Sequence, residues 1–131
     1  MHLTKMTTLI APTLTITFAP SDARAGGMAA PQSIAEIVTF RLMPGIEEAA
    51  FLSAAQATAA PVAAQPGFLR RSLSRDETGL WTDYVEWADQ QSAKAAMQAV
   101  MRLPEFAPFS AAIDPEGMVI RHAVVLSQKG D

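Results

Sequence analysis

Two Pro-Gly pairs, Pro44-Gly45 and Pro66-Gly67, and the run Asp76-Glu77-Thr78-Gly79 cut the chain at the points where its hydrophobic period changes. Proline cannot continue a helix interior or a sheet ladder, and glycine reaches backbone angles closed to other residues, so such points end elements. Before the first pair, Ile34, Glu36, Val38, Phe40 and Leu42 alternate with Ala35, Ile37, Thr39, Arg41 and Met43, the period of a strand. Ile46 to Ala64 is alanine-rich, places Glu47 and Glu48 where a helix dipole favours carboxylates, and offers Phe51 and Leu52 for burial. A helix disturbed near Pro61 is expected there. Phe68 to Arg75 alternates again, and Leu80 to Trp87 does so beyond the turn, which predicts a hairpin. Asp89 can cap a second helix in which Ala93, Ala96, Met97, Val100, Met101 and Leu103 recur at helical spacing. Pro104 to Pro115 reads as a loop or short helix over the domain, and Met118 to Leu126 as the last strand.

The order β-α-β-β-α-β closes most simply as a four-stranded antiparallel sheet with both helices on one face, the ferredoxin-like α+β fold. If Val38, Phe40 and Leu42 point toward the helices, then Ile37, Arg41 and Met43 point away, so the second face is not plainly polar. Large apolar area is rarely left bare, which predicts a homodimer whose two sheets face one another.

The N-terminus carries Lys5, a mildly apolar stretch through Leu9, Ile10, Leu14, Ile16 and Phe18, a break at Pro20, and Ala23-Arg24-Ala25. This pattern predicts a signal peptide over residues 1–25, cleavage before Gly26, and a periplasmic or secreted protein. Translation from Met28 would instead make a cytoplasmic one. Residues 26–32 form a flexible lead-in, and residues 33–128 one domain. Cleavage leaves 106 of the 131 residues, enough for a single core. It removes two cations and one anion, taking the formal net charge from −3 to −4, so nucleic acid is not an expected partner. The apolar stretch is too short to span a bilayer. The chain has no cysteine, which removes disulfides, thiolate nucleophiles and thiolate metal sites.

The run Ile37-Val38-Thr39-Phe40-Arg41-Leu42 before Pro44-Gly45, then Pro66-Gly67-Phe68, Trp81-x-Asp83-x-Val85-Glu86-Trp87 and Phe106-x-Pro108-Phe109, resembles the antibiotic biosynthesis monooxygenase-like family. The resemblance spans Ile34 to Leu126 and implies a dimeric α/β barrel. It also implies an activity among cofactor-free oxygenases of phenols and quinols or haem-degrading oxygenases, although the superfamily holds proteins without an assigned reaction. Trp87 fits the tryptophan of the haem-degrading members. Their first-strand asparagine is replaced near Val38, the second helix has no histidine, and the chain contains no asparagine at all. The haem-degrading triad is therefore disfavoured. The cofactor-free members also use asparagine near the substrate.

His122, the one imidazole after the leader, is the candidate general base toward an acidic phenol or enol. The alternative is a histidine satisfied at a sheet or dimer interface. Trp81, Asp83, Val85 and Trp87 share one face of the third strand, which puts a carboxylate between two large rings. Asp83 could orient His122 or take a proton itself; equally, it could pair with an arginine while both tryptophans serve the core. Tyr84 and Glu86 take the opposite face, with Arg41 as an ion-pair partner there. Arg70, Arg71 and Arg75 fit a solvated edge strand. Met97, Met101 and Met118 read as core filler. No metal site and no cofactor motif is expected.

The reading at this level is a small dimer that binds a hydrophobic or aromatic molecule, with His122 and Asp83 as catalytic residues and Trp81, Trp87 and Phe109 as substrate contacts. The expected activity is that of a cofactor-independent monooxygenase, and the alternative is a ligand-binding or stress-related dimer without turnover.

Overall fold

The computed structural model describes residues 32–130. The leader, its cleavage point and the lead-in up to Pro31 lie outside the described residues. The elements run β1 (Ile34–Leu42), α1 (Glu48–Ala63), β2 (Phe68–Arg75), β3 (Trp81–Trp87), α2 (Gln90–Val100), α3 (Phe106–Ala112) and β4 (Ile113–Val124). The four strands form one sheet in the order β2-β3-β1-β4, with every neighbouring pair antiparallel. This is the ferredoxin-like α+β arrangement, with α3 as a third helix ahead of the last strand. No helix among the described residues is long and apolar enough to cross a membrane.

Local chemistry accounts for the boundaries. The Asp89 carboxylate accepts a hydrogen bond from the Ser92 N–H at 2.8 Å, satisfying one of the orphan donors that begin α2. After Val100 that helix tightens into bonds of the i to i−3 kind, Arg102 to Ala99 and Leu103 to Val100, which ends it short of Leu103. Pro61 sits in the last turn of α1, and the helix runs on to Ala63. On α1, Phe51, Ala55, Thr58 and Val62 recur at helical spacing and are all buried, while Ala57, Ala59, Ala60 and Ala63 face outward.

Two strands depart from simple alternation. Between Phe68 and Arg70 the β2 register against β3 slips by one residue, so Leu69 bulges and Arg71, rather than Arg70, joins Phe68 on the helix side. β4 begins at Ile113, earlier than the hydrophobic run that starts at Met118. Leu42 pairs with Ile113 and Arg41 with Asp114, after which the register jumps to Thr39 against Val119. The residues in between loop out of the ladder, and Gly117 takes φ 81°, a conformation open to glycine. Met43, expected on the outer face, lies beyond the end of β1. Its N–H donates to the Ala112 carbonyl at 2.8 Å, which turns it toward α3.

The core lies in two parts between sheet and helices. Phe40, Phe51, Trp81 and Phe109 pack with Ala55 and Ala112, with Phe51 meeting Trp81 edge-on at 4.8 Å and Phe109 near-parallel at 5.2 Å. Val62, Val85, Trp87, Ala93, Ala96 and Val100 form the second part. On the outer face Glu86 is fully buried, paired with Arg70 and accepting from Ser33 Oγ and from Gln128 Nε2 at 3.1 Å. Arg41 does not join it; its guanidinium donates to the Thr78 carbonyl across the hairpin end at 2.7 Å.

Candidate functional site

Apart from Arg75, which lies opposite Trp81 and pairs with Glu48 at the start of α1, the helix-facing side of the sheet is apolar except for four side chains. Directly paired residues of adjacent antiparallel strands point to the same side. Glu36 pairs with Val85 on one neighbour and His122 on the other, Val38 pairs with Asp83, and Arg71 pairs with Val85. Glu36, Arg71, Asp83 and His122 therefore all project where the helices pack. They form two pairs. Arg71 holds Asp83 with two parallel bonds, Nε to Oδ1 and Nη2 to Oδ2, each 2.9 Å. His122 Nε2 lies 3.0 Å from Glu36 Oε2.

Between these pairs and the helices lies a cavity of about 510 Å³, within the range that holds small organic ligands. Glu36, Arg71 and Asp83 reach its wall, together with Trp87, Phe109 and Ile120. The Trp87 indole N–H is buried and has no hydrogen-bond partner among the described residues. A buried donor without a partner costs about 1 to 3 kcal/mol. Met43, Met97, Met101 and Met118, all the methionines of the described residues, also line the cavity rather than fill the core. Thioethers adapt to ligand shape and contact aromatic rings favourably. On the helix side of β4, Met118 and Ile120 remain 38% and 45% exposed, because the helical layer stops short of this edge strand.

The residues singled out from the sequence are thus separated by the fold. Trp87 and Phe109 line the cavity, whereas Trp81 is 4% exposed and packs on Phe51 in the core. Trp81 and Trp87 do share a strand face, but Phe51 in the first turn of α1 fills the space above Trp81. Asp83 does not orient His122. Its two oxygens are taken by Arg71, and the imidazole partner is Glu36. His122 is not on the cavity wall; its partner carboxylate is.

Two residues escaped the sequence reading. Glu36 shares the parity of Val38 and Phe40 on β1, so a carboxylate on the apolar face was visible in the alternation. Arg71 was not: by simple alternation from Phe68 it belongs on the outer face, and the bulge at Leu69 reverses that. Among the described residues no three acidic or histidine side chains converge as a metal site.

This topology, with a cavity between sheet and helices, defines a small α+β domain of the ferredoxin-like kind. Residues 33–112 match the model of the antibiotic biosynthesis monooxygenase domain, and the chain belongs to that family. Among curated proteins none matches the sequence significantly. Solved structures share the fold. SnoaB, a cofactor-independent oxygenase from Streptomyces nogalater, is similar with TM-score 0.57 and 22% identity over 76% of this chain and 96% of its own. A Pseudomonas aeruginosa protein aligns with TM-score 0.56 and 24% identity over 76% of this chain and 100% of its own. A protein of unknown function from Nitrosomonas europaea reaches TM-score 0.61 at 16% identity, covering 79% of this chain and 98% of its own.

Proposed function

We propose that the domain binds a flat, hydroxylated aromatic molecule in the cavity and oxidises it with dioxygen without a cofactor. The observation that carries this reading is an apolar, aromatic and thioether-lined cavity whose sheet wall nevertheless presents Glu36, Arg71 and Asp83. Buried charges are costly and are weak sources of stability, so their placement at a cavity is best explained by use.

In this mechanism the Glu36 and His122 pair takes the hydroxyl proton of the substrate, with Glu36 at the wall and His122 behind it. Trp87 and Phe109 supply the aromatic wall, and Asp83 acts through the guanidinium it holds. Trp81 backs Phe51, on which Phe109 stacks. The electron-rich anion then reacts with dioxygen in a site screened from water. One oxygen atom bonds to a ring carbon, the other leaves as water with the hydrogens lost from that carbon and from the hydroxyl, and a quinone forms. Phenol-type substrate and dioxygen become quinone and water, so no external reductant is consumed.

Similarity to SnoaB supports the reaction class at the level of fold, and family membership supports monooxygenase chemistry. A second reading, binding without turnover, has one observation in its favour: His122 does not itself line the cavity. Under either reading the protein is an exported homodimer, supported by the leader pattern and by Ile37, Tyr84 and Val119 on the outer face. The deciding experiment supplies purified protein with simple naphthols and hydroquinones under isotopically labelled dioxygen. Oxygenation is expected to place one labelled atom in a quinone product; ligand binding without label incorporation would establish the second reading.

A further inference from the structure

Arg71 is held in a way that a structural ion pair does not require. Nε and Nη2 bind Asp83, Nη1 donates to Thr58 Oγ1 on α1 at 2.8 Å, and the guanidinium carbon stands 5.4 Å from the centre of the Phe109 ring on α3. Strand β3, helix α1 and helix α3 thus each fix one edge or face of the same planar group, which itself comes from β2. Its side chain is 13% exposed, and it reaches the cavity wall. A guanidinium has five N–H donors. The three bonds to Asp83 and Thr58 leave two without a partner among the described residues, one on each Nη.

We infer that these remaining donors form an oxyanion site, and that Arg71 selects ligands carrying an oxygen that becomes negative when bound. The inference rests on the proposed function in taking the cavity to hold an aromatic ligand. Asp83 is then a positioning residue. By balancing the arginine charge it makes the empty cavity close to neutral on this side, so a neutral phenol enters without an ionic penalty, and it orients the fork. The groups that face the guanidinium from the packed elements are Asp83 on β3 and Glu36 on β1, with His122 on β4 behind Glu36. Both carboxylates oppose a second anion, so Arg71 must outweigh them locally by direct hydrogen bonding. Thr58, itself buried and donating its hydroxyl to the Ala55 carbonyl at 2.6 Å, sets the distance between α1 and the fork.

The test uses the full chain with 4-nitrophenol, whose anion is coloured, and 4-nitroanisole, which has the same shape without an ionisable oxygen. The pKa of bound nitrophenol should fall by about one unit, equivalent to about tenfold preference for the anion. Asp83→Asn should deepen the shift. Arg71→Met alone would strand a buried carboxylate, so the uncharged pair Arg71→Met with Asp83→Asn is the informative variant, checked for folding by circular dichroism. It should abolish the shift, with nitroanisole binding showing that the cavity still forms; Arg71→Lys should keep part of the shift. Nitroanisole binding with an unshifted nitrophenol, or a shift that survives in the double variant, overturns the oxyanion site alone. If neither compound binds the unaltered chain, the cavity reading falls and this inference with it.

Discussion

His122 Nε2 and Glu36 Oε2 stand 3.0 Å apart although 86 residues separate them in the chain. The β1–β4 ladder makes this contact, because the two residues are direct cross-strand partners in the sheet. Pairing on an edge strand leaves the imidazole 33% exposed while its carboxylate partner is 8% exposed. A proton taken at Glu36 on the cavity side can thus pass to a ring that meets solvent.

Loss of either member should therefore damage turnover before it damages the fold. His122→Ala and Glu36→Gln are each expected to lower oxidation of a phenolic substrate by roughly 10²- to 10⁴-fold, the range typical of a lost general base. Combined, they should cost little more than either alone, since the two act as one unit. Initial rates of oxygen uptake, with melting temperature as the control, check this. A variant that keeps full turnover, or that loses several kcal/mol of stability, returns His122 to an interface role.

Gly45 and Gly67 provide a comparison in which backbone strain is constant and space is not. Their φ angles are 86° and 85°, so alanine at either is strained by about 1 to 3 kcal/mol. A side chain at Gly45 would meet nothing within 4 Å, whereas one at Gly67 would collide with the Ser92 side chain at the start of α2. Gly67→Ala should therefore melt well below Gly45→Ala in thermal unfolding. Equal melting temperatures would mean that α2 can shift away from β2 at little cost.

The hairpin turn gives the protein an acid-sensitive point. The Thr78 hydroxyl, followed by the backbone N–H of Leu80, holds the Asp76 carboxyl below its ordinary value of 3.8. A depressed folded value means the ionised form stabilises the native state above the unfolded value, and that contribution is lost as pH falls through the folded one. Asp76→Asn should thus flatten the decline in melting temperature on acidification below about pH 4. The Asp89 carboxyl, lowered by the Ser92 N–H, adds a second contribution of the same sign. Melting curves from pH 6 to pH 3 that coincide in slope for the unaltered chain and Asp76→Asn would refute this.

Two properties lie outside the described chain and are decided by mass. Protein recovered from the host is expected to begin at Gly26 and to scatter light as a dimer of chains of 106 residues. An intact Met1, a start at Met28, or a monomer at micromolar concentration would each remove the corresponding proposal.

The β-α-β-β-α-β order, the extents of β1 to β3 and the buried face of α2 were legible in the chain because they depend on near neighbours, whereas β4 starts five residues ahead of the apolar run at Met118. Pro-Gly stops, the Asp89 cap, the Asp76 to Gly79 turn and the Ala93, Ala96, Val100 spacing of α2 act within a few residues, and period tells strand from helix; on α1, Leu52, expected to be buried with Phe51, is 45% exposed, and Ala55, Thr58 and Val62 are buried instead. The presence of Glu36 on the apolar parity of β1 belongs to the same category. Tertiary structure decided which charges meet. A one-residue bulge at Leu69 moves Arg71 to the cavity side, where it occupies Asp83, while the β1–β4 register joins His122 to Glu36. The filling of space around Phe51 withdraws Trp81 from the cavity and leaves Trp87 in it. Register and packing are set jointly by all four strands and the helices over them, and in a strand a slip of one residue exchanges inside for outside.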